Sequence, residues 1–167
     1  FLARYQRRLP PLGSIGIFNR SPYEGIVGDR RDGFIQVAQS HKRLQQIADF
    51  EDELSDKNIH LLKVYLQISP EEQLKRLRKR ILTPHKHWKL SAADLQAHRQ
   101  FPQYQAEWAD TLARSHRPSA PWYVLPADHK WLRNLLLASL LARQFEALDL
   151  QWPTPPLPFS LAELEQN

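Results

Sequence analysis

The chain has 167 residues, 42% of them hydrophobic, with 23 Lys/Arg against 18 Asp/Glu and a formal net charge of +5. That length and apolar content exclude a disordered chain and support one globular domain, while the positive balance favours phosphate-bearing or other acidic partners without choosing between nucleotide, nucleic acid and membrane surface. With no cysteine, disulfides and thiolate metal sites are excluded, and no run approaches the ~20 apolar residues of a membrane helix or resembles a signal peptide, so a cytoplasmic protein is expected.

The sequence holds no methionine and starts at Phe1. Initiator methionine is removed ahead of small residues, so this chain is expected to be a piece of a longer one. Residues 1–10, FLARYQRRLP, predict the end of a basic helix stopped by Pro10 and Pro11. GSIGIF, residues 13–18, is an apolar run bounded by glycine and predicts a buried strand. NRSPYEGIVGDRRDG, residues 19–33, has no periodicity and predicts a loop. From Gln36 to Asp56 the spacing of Val37, Leu44, Ile47, Phe50 and Leu54 predicts an amphipathic helix.

HLLKVYLQI, residues 60–68, is continuous and rich in β-formers, as a strand covered on both faces would be. Ser69-Pro70-Glu71-Glu72 supplies an N-cap, a proline at the first helical position and a capping-box glutamate. The helix it opens puts Leu74, Leu77 and Ile81 on one stripe and Arg76 and Arg80 on the other side, and Pro84 ends it. A second capping box, Ser91 to Asp94, leads into helical segments reaching about Ser115. PWYVLPA, residues 121–127, predicts a third buried strand, and Asp128 is expected to cap a last helix with Leu132, Leu135, Leu136, Leu140 and Phe145 on a broad apolar face. QWPTPPLP, residues 151–158, predicts an extended tail.

Strands alternating with long helices imply parallel βαβ units, hence an α/β fold whose ligands bind at the carboxyl ends of the strands. All three strand exits are polar. After the first, Asn19, Arg20, Ser21, Tyr23 and Glu24 form a cluster suited to phosphate oxygens through Arg20 and to a metal-bound water through Asn19 or Glu24. Between Glu72 and Asp94 lie seven Lys/Arg and no acid. Within that run Lys86 and Lys89 suit phosphate as mobile point charges, and Trp88 suits anchoring or base stacking. His85 and His87 share a spacing metals use, but without a third ligand nearby no metal is assigned. Lys130 and Arg133 begin the last helix beyond Asp128, where capping explains the aspartate. No G-x-x-x-x-G-K phosphate loop and no nucleophile elbow occurs.

Taken in order, IGIFNRSPYE, DFEDEL, LLKVYLQIS, EEQLKRLRKRILTPHKHWKLSAAD, YQAEW and APWYVLPADHKWLR resemble the polyphosphate kinase 2 family, from about Leu9 to Pro153. The resemblance implies a P-loop kinase-like parallel sheet with flanking helices, here over residues 1–153, a helical lid at about 76–115, and a tail at 154–167. It implies magnesium-dependent phosphoryl transfer between inorganic polyphosphate and a nucleoside mono- or diphosphate, by a homo-oligomer with neither nucleic acid nor membrane as partner. Asn19 and Arg20 are then expected beside the transferring phosphates, at the end of a Walker B strand. Arg76, Arg80, Lys86 and Lys89 are expected in the lid, braced by Trp88 and Asp94, while Tyr23, Glu24, Trp88 and Asp94 are assigned to cofactor binding.

Asn19 stands where many members carry aspartate, so the main Mg²⁺ ligand is expected in the phosphate-loop segment, which this sequence does not contain. In that fold the strand of that segment lies between the Walker B strand and the next, so the two are expected about two strand spacings, ~10 Å, apart. This chain by itself is expected to turn over little. The alternatives are a non-catalytic module binding polyphosphate or nucleic acid, and a non-catalytic half of a tandem or oligomeric kinase.

Overall fold

The computed structural model describes residues 1–166. Two parallel strands, β1 (Lys63–Gln67) and β2 (Trp122–Pro126), pair in register from Lys63 opposite Trp122 to Gln67 opposite Pro126. The crossover between them is helical: α4 (Pro70–Ile81), a 3-10 helix (Pro84–Lys89), α5 (Ala92–Arg99) and α6 (Phe101–Ser115). Ahead of β1 come α1 (Ala3–Gln6), α2 (Glu24–Arg31) and α3 (Val37–Asp56), and after β2 come α7 (Lys130–Ala147) and α8 (Leu161–Glu165).

Local chemistry places most of these boundaries. The Ser69 hydroxyl accepts from the Glu72 amide at 3.1 Å and Pro70 sits where its missing N–H is not needed, so α4 starts as the sequence predicts. Ser91 and Asp94 form the predicted capping box at α5. Gln36 and Gln39 form another at α3, of a kind the sequence reading passed over.

Residues 13–18 depart from expectation. They are not a strand: Ile15 and Ile17 are 70% and 91% exposed, and among the described residues none of 15–18 makes a backbone hydrogen bond to β1 or β2. A strand is held by its neighbours, and an apolar run without one has no ladder to join. The segment folds back on itself instead. A Cβ at Gly16 would meet Pro10 Cδ at 2.9 Å, and the Phe18 ring lies 5.9 Å from that of Tyr5. Residues 24–31, expected as loop, are the helix α2, which buries Ile26 and Val27 just after the buried Tyr23.

The core is correspondingly small. Tyr23, Ile26 and Ile47 form its centre, with Leu2, Leu44, Trp108 and Trp122 packed around them. A self-contained 19.6 kDa protein exposes about 8,600 Å² by the usual scaling, whereas this chain exposes 12774 Å². The excess includes residues expected inside: Leu66 on β1, Val124 on β2, and Leu135 and Phe145 on α7 are exposed. No helix among the described residues is long and apolar enough to cross a membrane.

Candidate functional site

Because β1 and β2 are parallel and in register, their carboxyl ends leave the sheet side by side. The Ala127 amide donates to Gln67 O at 2.7 Å, carrying the ladder one step past the strands. There Asp128 departs from its expected role. Its carboxylate does not cap α7, whose N-cap is His129 without a side-chain bond; it accepts instead from the Ser69 amide at 2.8 Å. Asp128 lies too early for the helix and directly beside the neighbouring exit. That amide bond holds its carboxyl below the usual aspartate range. Arg76 completes the rim, with Nε 2.8 Å from Glu72 Oε1 and Nη2 donating to Ala127 O at 2.8 Å. The Arg76 bond is also the chief reason that the Glu72 carboxyl titrates low.

A carboxyl with a depressed folded pKa stabilises the fold above its unfolded value of ~3.9, and that contribution disappears as pH falls through the folded value. Asp128→Ala is therefore expected to lower the urea midpoint at pH 7, and its gap to the unaltered protein to narrow progressively as pH falls below the unfolded value of ~3.9. A gap independent of pH would show that the Ser69–Asp128 bond owes nothing to the charge.

The basic turn is fastened at both ends. Arg80 lies 3.7 Å from Asp94, whose Oδ2 also accepts from the Ser91 amide at 2.8 Å and the Ser91 hydroxyl at 3.1 Å. The His87 ring Nε2 lies 2.7 Å from Ile81 O at the end of α4, and Thr83 Oγ1 donates to Lys79 O at 2.6 Å. His98 Nδ1 lies 2.8 Å from Gln73 Oε1, tying α5 to α4. Thus the two acids that bound the basic run are each already engaged by an arginine. Lys86 and Lys89 have no carboxylate partner among the described residues. Trp88, expected to brace the turn, does not: it is 78% exposed, and the Lys89 ammonium stands 4.8 Å from its ring centre.

At 19–24, Asn19 and Arg20 are exposed, and the Arg20 guanidinium meets Glu24 at 3.0 Å, one helical turn on. Tyr23, expected on the cofactor side, is 2% exposed and faces the core. Its hydroxyl donates to Glu51 Oε1 at 2.7 Å and accepts from Lys63 Nζ at 3.2 Å. Lys63 in turn bonds Glu51 Oε2 at 2.8 Å and Ser115 O at 2.9 Å, with its ammonium 5.2 Å from the rings of Tyr23 and Trp122. Burial, reinforced by Glu51, pushes the Tyr23 phenol above its ordinary range, and burial lowers Lys63 against the pull of Glu51. The sequence reading missed Glu51 and Lys63, although a lysine inside HLLKVYLQI was the signal.

The magnesium ion implied by the resemblance finds no ready cage here. Among the described residues no three His, Cys, Asp or Glu side chains converge on a possible metal position, and Glu24 is already paired with Arg20.

Residues 1–152 match the family model described as Polyphosphate kinase 2. The chain belongs to the polyphosphate kinase 2 family. The AMP/ADP-polyphosphate phosphotransferase of Meiothermus ruber is 36% identical over 155 residues, covering 93% of this chain and 58% of that protein. The ADP-polyphosphate phosphotransferase of Rhodopseudomonas palustris is 33% identical, covering 100% of this chain and 63% of that protein. The chain therefore spans roughly three-fifths of the length of these curated polyphosphate kinase 2 relatives. The crystal structure of polyphosphate kinase 2 from Arthrobacter aurescens TC1 superimposes with a TM-score of 0.86 at 33% identity, over 98% of this chain and 57% of that one. The fold is accordingly the α/β, P-loop kinase-like architecture of the polyphosphate kinase 2 family, with its parallel sheet and flanking helices.

Proposed function

We propose that the protein carrying these residues transfers a phosphoryl group between inorganic polyphosphate and a nucleoside mono- or diphosphate, with residues 76–115 as a lid over the phosphates. The observation that carries this reading is the division of charge on the basic turn. Arg76 and Arg80 are held by Glu72 and Asp94 and fix its geometry, whereas Lys86 and Lys89 keep their charge free for an anion. Phosphoryl transfer spreads negative charge over the equatorial oxygens of the moving group, so cations set in place beforehand lower the barrier without reorganising. The names of the Meiothermus ruber and Rhodopseudomonas palustris relatives support the same substrates.

Within this reading Asn19 and Arg20 contact the transferring phosphates. Mg²⁺ is the proposed cofactor, held chiefly by groups other than those described above. The same reading takes the protein to be cytoplasmic and homo-oligomeric; exposed Trp131 and Leu135 on α7 support assembly, since apolar surface of that kind marks contact sites.

The test supplies the protein with ADP or AMP, polyphosphate and Mg²⁺ and follows the phosphorylated nucleotide. Transfer is the expected result, and polyphosphate binding without any transfer would replace the enzyme by a binding module. Residues 1–167 alone carry no glycine-rich phosphate loop, so their turnover is expected to be small. Robust ATP formation by that segment alone would sink the assignment of positioning to a phosphate loop.

A further inference from the structure

Among the described residues, three that are not glycine have positive φ: Arg20 at 106°, Asn58 at 57° and Asp149 at 44°. The last two lie in the left-handed basin that asparagine and aspartate visit readily. Arg20 lies outside it. A residue bearing a Cβ at such an angle is strained, and persists there only where its surroundings over-determine the backbone. The Arg20 side chain supplies little of that constraint, being exposed and, among the described residues, bonded only to Glu24.

The constraint comes from the residues on either side. Upstream, Phe18 packs on Tyr5 and Gly16 lies against Pro10. Downstream, Tyr23 O receives the Ile26 and Val27 amides at 2.9 and 3.2 Å, forming the first turn of α2. The Tyr23 ring packs edge-on to Trp122 at 5.1 Å, and its hydroxyl enters the buried Glu51–Lys63 pair. One side chain thus joins α2 to α3, β1 and β2, and through Lys63 to the end of α6. This junction lies at the opening residues of both strands, roughly 13 Å of strand away from the Gln67–Asp128 rim. An apolar ring alone would tolerate sliding, whereas a hydroxyl gripped by an ion pair has a direction as well as a position.

We propose that Tyr23, Glu51 and Lys63 are positioning residues that hold Arg20 in its strained backbone conformation and so pre-set its guanidinium. This rests on the reading of Arg20 as a phosphate-contacting residue. None of the three touches substrate; they act through the backbone of residues 20–23.

A double-mutant cycle in thermal stability tests the clamp without any activity. Arg20→Gly relieves the strain and is expected to raise Tm by about 2–4 °C in the otherwise unaltered protein. With Tyr23→Phe the loop relaxes, glycine no longer relieves anything, and its greater freedom in the unfolded chain makes the same substitution neutral or destabilising. An equal gain in both backgrounds, or a gain in neither, overturns the clamp. Should Tyr23→Phe not fold, Glu51→Leu with Lys63→Met removes the grip from its other end, and must abolish the Arg20→Gly gain equally. In the transfer assay Tyr23→Phe is expected to lower kcat about tenfold with KM for polyphosphate little changed, the mark of lost orientation rather than lost binding. If the cycle shows coupling while the unaltered protein transfers no phosphoryl group, the clamp stands and the phosphate role of Arg20 falls.

Discussion

Replacing Lys63 by methionine is expected to destabilise the protein by about 3–5 kcal/mol, the usual cost of leaving one charge of a buried pair alone, and to lower Tm by roughly 10 °C. The Lys63 and Glu51 side chains are 5% and 4% exposed. Methionine keeps the aliphatic stem and the packing against Tyr23 and Trp122, so lost apolar area is a minor term. What changes is the Glu51 carboxylate. Without the ammonium at 2.8 Å, the Tyr23 hydroxyl is its sole remaining donor among the described residues. A carboxylate out of water with one hydrogen bond either stays charged at high cost or takes up a proton, and both routes reduce stability near neutral pH. The companion variant separates charge from shape: Glu51→Leu together with Lys63→Met removes both charges and should recover most of the loss, because a buried pair and well-packed apolar residues of similar volume are often close in free energy. Urea unfolding of the two variants measures this. A double variant as unstable as the single, or a single losing under about 1 kcal/mol, would show that the pairing of charge is not what holds α3 to β1.

What the sequence made legible follows the reach of the interactions involved. Caps and stops act within four residues, so Ser69, Pro70, Pro84 and the Ser91–Asp94 box could be read directly and stand where expected, whereas Glu72 does not close the expected box, because the Ser69 amide donates to Asp128 and the Glu72 carboxylate is taken by Arg76. Partners far along the chain could not be read that way. GSIGIF has the composition of a buried strand, yet composition does not supply a neighbour, and Ile15 and Ile17 remain in solvent. Asp128 has the right residue type for a cap, but the parallel exit of β1 offers its carboxylate the Ser69 amide, 59 residues earlier. The helix α2 was obscured by Gly25 and Gly28, both poor helix formers, although Tyr23, Ile26 and Val27 already had helical spacing. In the site, the cationic residues were visible as a run of charge. Which of them are already paired was not, because the Arg80–Asp94 and Arg76–Ala127 contacts arise only when the crossover folds back onto the strand ends.

That distinction leads to the second large effect. Lys86→Ala with Lys89→Ala is expected to lower phosphoryl transfer about 10²–10³-fold while moving Tm by no more than about 1–2 °C, since neither lysine is buried or paired with a carboxylate among the described residues and such side chains contribute little to stability. Arg76→Ala should divide its effect the other way, because Arg76 Nη2 donates to Ala127 O and its loss loosens the rim as well as removing charge. If the lysines act on the transition state, kcat falls and polyphosphate affinity changes less. If they serve only to hold a polyanion, affinity falls instead, and the dependence of log affinity on log salt becomes shallower by up to about one unit for each lysine removed. Measuring kcat, KM and the salt slope on the same pair of proteins decides between these. Unchanged turnover would mean that the free charge of the turn faces away from the reacting phosphates, and the lid would then be defined by the paired arginines alone.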